Sequence, residues 1–349
     1  MPVIFLAWNL LLPAITAYIQ GPARAPFLPS KAHDPTWALA SSTADISATK
    51  TSATSSTTRT AILVCPAQFC VPDDYQVLFE NLRTTSTPGW DPTNTLGPTV
   101  VAPLPRTEWI KVAKQLPTRN FLEAKLAVHE TLDWYFDAID AAFAEIFATE
   151  GSDVNVCVVG HSIGGWVARA YLGGLSRSST AVTELARKQC SSLITLGTPH
   201  ISPDSALVDQ TRGLLREIDE AESCSSRALS EAGIDITCVC SSGLSGDFLT
   251  PNIEQLVAAS SYLPLTGKFG PEVEGDGIVP LELAFMDPPA RKVVVEKCTD
   301  TGALVRHSHV LPTPWNLWNG YSPSIVLPDD AASYTSPGVI KQWAGFIAA

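Results

Sequence analysis

Val154-Asn155-Val156-Cys157-Val158-Val159-Gly160-His161-Ser162-Ile163-Gly164-Gly165 is a run of β-branched and apolar residues that breaks at a glycine, passes one serine and meets two more glycines. Trp166-Val167-Ala168-Arg169-Ala170-Tyr171 then opens a helical pattern. Strand, sharp turn and helix in that order give the Gly-x-Ser-x-Gly spacing its chemical meaning. The serine of such a turn sits at a strained φ, and glycines at positions 160 and 164 remove the Cβ atoms that would collide where strand and helix cross. The turn lifts the Ser162 hydroxyl above the carboxyl edge of a sheet. It also points the N–H of Ile163 into the same space, at the positive end of the new helix. Ser162 is therefore the candidate nucleophile, Gly160, His161 and Gly164 its elbow, and Ile163 a candidate oxyanion donor.

Composition narrows what surrounds that turn. The chain of 349 residues is 45% hydrophobic and carries a net charge of −12. Once a leader is set aside, one α/β domain of about 290 residues is the natural size for a single core. A phosphate-binding surface needs clustered Lys and Arg, so a nucleic-acid partner is excluded. The first 59 residues hold more bases than acids (Arg24, Lys31, Lys50 and Arg59 against Asp34 and Asp45), so the remainder is more acidic still. Simple electrostatic docking on anionic lipid is thereby disfavoured. The eight cysteines (Cys65, Cys70, Cys157, Cys190, Cys224, Cys238, Cys240, Cys298) show neither Cys-x-x-Cys pairs nor zinc-type histidine spacing. No metal and no cofactor are expected. Cys157 reads as a small buried apolar residue of the nucleophile strand, and the even count permits disulfides in an oxidising compartment.

Residues 1–59 read as a targeting leader and linker. Val3 to Ile19 is apolar but for Asn9 and Pro13, a little short for a spanning helix and suited to the hydrophobic part of a signal sequence. Ala40 to Thr60 is dominated by Ser, Thr and Ala with almost no acid, a composition that cannot bury enough apolar area to fold. A hydrophobic head and a hydroxyl-rich, acid-poor tail together suggest a plastid or secretory destination.

Residues 60–349 alternate strand and helix signals. Thr60–Cys65 reads as a buried strand ended by Pro66, followed by Ala67-Gln68-Phe69-Cys70-Val71-Pro72-Asp73-Asp74 and a helix with Tyr75, Leu78, Phe79 and Leu82 on one face. Thr99–Ala102 reads as a second strand, and Phe121–Phe147 as one long amphipathic helix carrying a surface or packing histidine, His129. Ser191–Leu196, Ile234–Cys240 and Arg291–Glu296 are further strands, and Thr211–Ala221 is helical. Gly243 to Leu265 mixes Gly, Ser and Pro with short apolar pieces. Glu274-Gly275-Asp276-Gly277-Ile278-Val279-Pro280 places a carboxylate between two glycines just before an expected apolar strand. Asp276 is the candidate acid, with Asp204 and Asp247 as weaker alternatives. Two histidines, His307 and His309, follow the last strand. The chain order nucleophile, acid, base is the order of an α/β-hydrolase. In that fold the loop after the first strand donates the second oxyanion N–H, for which Gln68 and Phe69 are the candidates.

Leu196-Gly197-Thr198-Pro199-His200, so soon after the Gly-His-Ser-Ile-Gly-Gly turn, resembles lipase-type α/β-hydrolases. The similarity is nearest to the branch shared by plant and cyanobacterial lipase-like proteins and the GPI inositol-deacylases, and it runs from about Thr60 to Ala349. It implies a mainly parallel sheet with helices on both faces and a small cap-like excursion at about 201–265 that shapes acyl specificity. Gly-Asp-Gly-Ile-Val-Pro resembles the acid motif of lipases and lipid acyltransferases, and a His-Ser pair favours His307 over His309 as base. His200, which precedes any acid, is implied to be structural. Pro312 to Trp318 is expected to line a substrate groove or cap the core edge, and Tyr334 to Trp343 resembles the closing turn and helix. The expected activity is cleavage of a carboxylic ester, by resemblance a small-molecule or lipid acyl ester met in transient contact with a membrane. An acyltransferase with the same triad and a non-catalytic binding protein are the alternatives.

Overall fold

Parallel strands build the centre of the computed structural model, which describes residues 59–176, 180–207, 209–311, 324–326 and 331–347. They are β1 (Thr60–Cys65), β2 (Leu96–Val101), β3 (Asn155–His161), β4 (Cys190–Leu196), β5 (Asp235–Ser241) and, after the antiparallel pair β6 (Leu244–Gly246) and β7 (Gly270–Gly275), β8 (Arg291–Val295). Their order is β2-β1-β3-β4-β5-β8, every pair parallel. The expected leader lies, apart from Arg59, outside the described residues, as does Pro312 to Trp318.

Parallel strands need crossovers, and the crossovers cover both faces. Alternate residues of β1 go to opposite cores. Ala61, Leu63 and Cys65 join one apolar cluster, Ile62 and Val64 the other. The first cluster is filled from α2 (Val128–Glu150), α3 (Ile163–Leu172), α4 (Ala181–Gln189) and α5 (Leu214–Glu220), through Tyr135, Phe143, Trp166, Tyr171, Ala186 and Ile218. The second takes Leu78, Phe79 and Leu82 from α1 (Gln76–Thr84) and Val339, Ile340 and Trp343 from α7 (Pro337–Trp343). Each fully buried large side chain contributes about 1.5–3 kcal/mol. The sheet is thus fixed from both sides, which is the expected α/β-hydrolase layering.

The direction of winding reverses at β1. The chain leaves β1 for β2 on one side and returns to β3 on the other. Ligand sites of open parallel sheets form at such a point, outside the carboxyl ends of the strands. Here those ends are Cys65 and Gly160, paired in register.

Several local expectations are corrected. The helix expected over Phe121–Phe147 is two pieces, a turn at Arg119–Leu122 and α2 from Val128. The break comes at Ala124, whose φ is +54°, and at Leu126, whose N–H bonds to Arg212 O instead of a helical carbonyl. His129 is 41% exposed beside Glu130. The strand expected at Thr99 begins earlier, at Leu96. Ile278-Val279-Pro280 opens no strand, because it runs into a 3₁₀ turn at Leu281–Leu283. Gly243 to Leu265 is more regular than its composition suggests: it holds β6 and α6 (Ile253–Thr266), with Pro264 inside the helix. All eight cysteines are free and buried.

Candidate active site

Ser162 sits between β3 and α3 at φ +54° and ψ −126°, a region that costs an L-residue about 1–3 kcal/mol. Close packing on both sides holds it there. A Cβ on Gly160 would stand 2.3 Å from the Gly165 Cα, and one on Gly164 would stand 2.1 Å from the Cys65 carbonyl oxygen. The second contact matters for chemistry. It brings the first turn of α3, with the Ile163 N–H, against the end of β1 and the loop that follows.

In that loop most N–H groups are already engaged. The Ala67 N–H donates to Tyr75 Oη (2.7 Å), the Cys70 N–H to Ala67 O (3.0 Å) and the Val71 N–H to Asp74 Oδ2 (2.9 Å). Gln68 and Phe69, the two residues singled out from sequence, lie between these anchors. Phe69 has φ +61°.

Asp276 and His307 meet directly. His307 Nδ1 lies 2.8 Å from Asp276 Oδ2, and the His307 N–H donates to Asp276 O at 2.9 Å. Tyr334 Oη donates to the same Oδ2 (2.8 Å), while Oδ1 accepts from the N–H groups of Ile278 (3.0 Å) and Val279 (2.7 Å). Burial pushes this carboxyl up, yet the facing His307 imidazole, its hydrogen bond and those from Val279 and Tyr334 hold it below the ordinary carboxylate range. An ionised carboxylate only accepts, so Nδ1 carries the proton and Nε2 is left as the basic nitrogen.

Ser162 reaches this pair through its neighbours. Its N–H donates to Leu196 O (2.9 Å), and a Cβ on the next residue, Gly197, would stand 2.4 Å from Asp276 Oδ2 and 3.0 Å from His307 Nδ1. On the other side His161 Nε2 donates to His307 O (2.8 Å), with the two rings 5.1 Å apart. His161, just before the serine, and Gly197, just after β4, therefore both lie against His307. The Ser162 side chain does not cap α3.

His161 is more than a spacer in the elbow. Burial, with the His307 ring close beside it, drives its pKa down to about 3, so the ring is neutral. A carbonyl can only accept, so Nε2 bears the hydrogen and Nδ1 accepts from Tyr75 Oη at 2.9 Å. His309, the alternative base, is turned elsewhere: its ring interacts with the Asp74 backbone, and burial lowers its pKa. His200 is fully buried, with Nε2 3.0 Å from Thr195 Oγ1. The carboxylate on His307 is that of Asp276, not of Asp204 or Asp247; the Asp247 carboxylate caps the Leu249 N–H. Among the described residues no cluster of His, Cys, Asp and Glu could hold a metal ion.

The sequence assigns no site role to Tyr75, Tyr334, Asp74 or Arg106. Each acts across 30 or more intervening residues or from within an ordinary helix face, so no local pattern marks it.

The sheet, its crossovers and the strained serine turn define an α/β-hydrolase fold. Within that fold, residues 119–263 match the family described as PGAP1-like alpha/beta domain. The matched stretch contains Ser162 but stops before Asp276 and His307. No curated protein matches the sequence. Among solved structures the chain is similar to an acetylxylan esterase at 14% identity, over 41% of this chain and 65% of that one, with a TM-score of 0.27. The match thus spans just under two thirds of the esterase. It is also similar to the RedJ thioesterase of the prodiginine pathway of Streptomyces coelicolor, at 12% identity over 69% and 81% of the two chains, again with a TM-score of 0.27.

Proposed function

We propose that the protein is a serine hydrolase that cleaves carboxylic esters, with lipid acyl esters as its substrates. Ser162 Oγ attacks the ester carbonyl as His307 Nε2 takes its proton. Asp276 holds the imidazole tautomer and offsets the imidazolium charge. The carbonyl oxygen gathers negative charge against the N–H of Ile163 and one from Gln68 or Phe69. His307 returns the proton to the departing alkoxide, and water repeats the sequence to free the acid and restore the serine.

The observation that carries this reading is the buried Asp276 paired with His307 against Gly197, whose neighbour Leu196 receives the Ser162 N–H. The lipid half of the reading draws on the sequence resemblance and on apolar surface of the excursion that precedes the acid. Phe248 and Phe269 pack 5.4 Å apart while remaining 38% and 50% exposed, and Leu249 is 91% exposed. They flank β6 and α6, the excursion whose Tyr262 receives the Gly277 N–H next to the acid. Such a tip suits brief contact with a lipid surface.

A fluorophosphonate probe should label the wild-type protein, and Ser162→Ala should abolish labelling and turnover on a panel of p-nitrophenyl and glycerolipid esters. Labelling at another residue, or hydrolysis that survives Ser162→Ala, ends the proposal. Preference for acetyl over long acyl chains ends only its lipid part.

A further inference from the structure

Behind the loop that carries Gln68 and Phe69 lies a buried ion pair that the reaction scheme above does not use. Arg106 and Asp74 are 3.6 Å apart with side chains 0% and 1% exposed. Burying two charges carries a desolvation cost that their attraction need not repay, and an apolar pair of like volume is often as stable. Stability alone is therefore a weak reason for this pair. What it touches offers a better one.

Arg106 Nε donates to Phe69 O at 2.8 Å, and its Nη2 donates to Ser324 Oγ at 3.0 Å. Asp74 Oδ2 accepts from the Val71 N–H (2.9 Å) and from Ser324 Oγ (2.8 Å), while Oδ1 accepts from the Ser324 N–H (2.6 Å). The pair thus ties the 67–71 loop to the chain after β2 and to the residue before Ile325. We infer that Arg106, held by Asp74, is a positioning residue of the oxyanion site: by fixing the Phe69 carbonyl it fixes the loop peptides whose N–H groups face the developing negative charge. This rests on the serine-hydrolase reading above.

The chain of reasons is short. Phe69 is held at φ +61°, a conformation a bulky residue adopts only when its surroundings impose it. The Phe69 carbonyl shares its peptide plane with the Cys70 N–H, which donates to Ala67 O, so the Arg106 bond pins that plane and, through the φ of Phe69, the direction of the neighbouring Phe69 N–H. The N–H groups of Ala67, Cys70 and Val71 are consumed by Tyr75, Ala67 and Asp74, which, among the described residues, leaves those of Gln68 and Phe69 for a ligand. Oxyanion donors accelerate reactions only if they are in place before charge develops, so a loosened loop lowers kcat more than it raises KM.

The test compares wild type, Arg106→Lys and the apolar double variant Asp74→Leu/Arg106→Met on an ester and on its thionoester, whose sulfur accepts hydrogen bonds poorly. Arg106→Lys keeps the charge but loses the fork geometry. It should lower kcat on the ester by about 10²-fold with KM within about threefold. The ester-to-thionoester rate ratio should fall at least about tenfold. That ratio does not depend on how much of a variant is folded, so a destabilised protein still reports. The double variant should unfold within a few degrees of wild type while keeping the low ratio. A wild-type ratio in Arg106→Lys, or full kcat in the double variant, overturns the inference and leaves the ion pair a packing element. If the wild-type enzyme cleaves neither ester and takes no fluorophosphonate, the serine-hydrolase reading fails instead.

Discussion

The nucleophile side and the acid–base side of the site are built in opposite ways. The first is contiguous: β3, Ser162 and α3 occupy residues 155–172, and the strain at Ser162 is maintained by glycine contacts in the same stretch and at the end of β1. The second is gathered from afar. Asp276 is held by His307, Tyr334 and its own turn, His307 by Asp276 and His161, and the facing loop by Tyr75, Asp74 and Arg106. One half is set by covalent neighbours and sterics. The other depends on hydrogen bonds whose partners lie up to 250 residues apart. It follows that the supporting hydrogen bonds on the gathered side should be individually tunable, whereas a clash introduced on the contiguous side should disturb fold and site together.

The largest contrast lies within the gathered side itself. His307→Ala should cut kcat/KM about 10⁴-fold, the scale of a lost triad base. His309→Ala, two residues away but with its ring on the Asp74 backbone, should cost less than about tenfold. Steady-state kinetics on one soluble ester decides it, and reversed magnitudes would move the base to His309.

Gly164→Ala tests the contiguous side. Its Cβ would meet the Cys65 and Pro66 carbonyl oxygens at 2.1 and 2.8 Å, both backbone atoms with little room to retreat. Overpacking of this kind costs about 1–3 kcal/mol and here pushes the Ile163 N–H away from the 67–71 loop. Urea unfolding should show the loss and fluorophosphonate labelling should slow by about 10²-fold or more. A stable variant labelling at the wild-type rate would mean that the tight crossing is not what places the serine.

This asymmetry also explains what could be read from the sequence. The turn at Ser162, the sheet strands and Asp276 between its glycines each carry a local pattern, because each solves a local steric problem. Tyr334 carries none: it is one aromatic in a loop, and only the fold brings its hydroxyl to Asp276. The misread helix at Phe121 has the same origin. Its apolar period continues through residues 119–127, but Leu126 is claimed by Arg212, a tertiary contact that outweighs propensity.

Tyr334→Phe is the milder test of the gathered side. It removes one of four hydrogen bonds to the Asp276 carboxylate, worth about 1.5–3 kcal/mol for a charged acceptor, and leaves Asp276 easier to protonate. Turnover should fall about tenfold, and the acidic limb of the pH–kcat/KM profile should move to higher pH. An unshifted limb would mean that the phenol is not a partner of the ionised acid.

The smallest effect is one of slope, at the joint between the two halves. His161 is neutral in the fold, with its pKa held near 3 by burial, against about 6.5 in an unfolded chain. Between those values the unfolded state binds a proton that the native state refuses, so stability is intact above about pH 6.5 and drains away as pH falls toward 3. One such group contributes about 1.4 kcal/mol per pH unit across that window. His200, buried and lowered in the same sense, adds to the slope, and Asp276 adds its share only below the ordinary carboxylate range. His161→Gln can still accept from Tyr75 through its amide oxygen and donate to His307 O through its nitrogen, but it cannot titrate. Unfolding free energies measured at pH 7, 6, 5 and 4 should agree with wild type at pH 7 and fall less steeply below pH 6, by about 1.4 kcal/mol per unit. Identical slopes would show that His161 takes up its proton in the folded protein. The neutral link from Tyr75 through the elbow to the His307 carbonyl could not then be what joins the two halves.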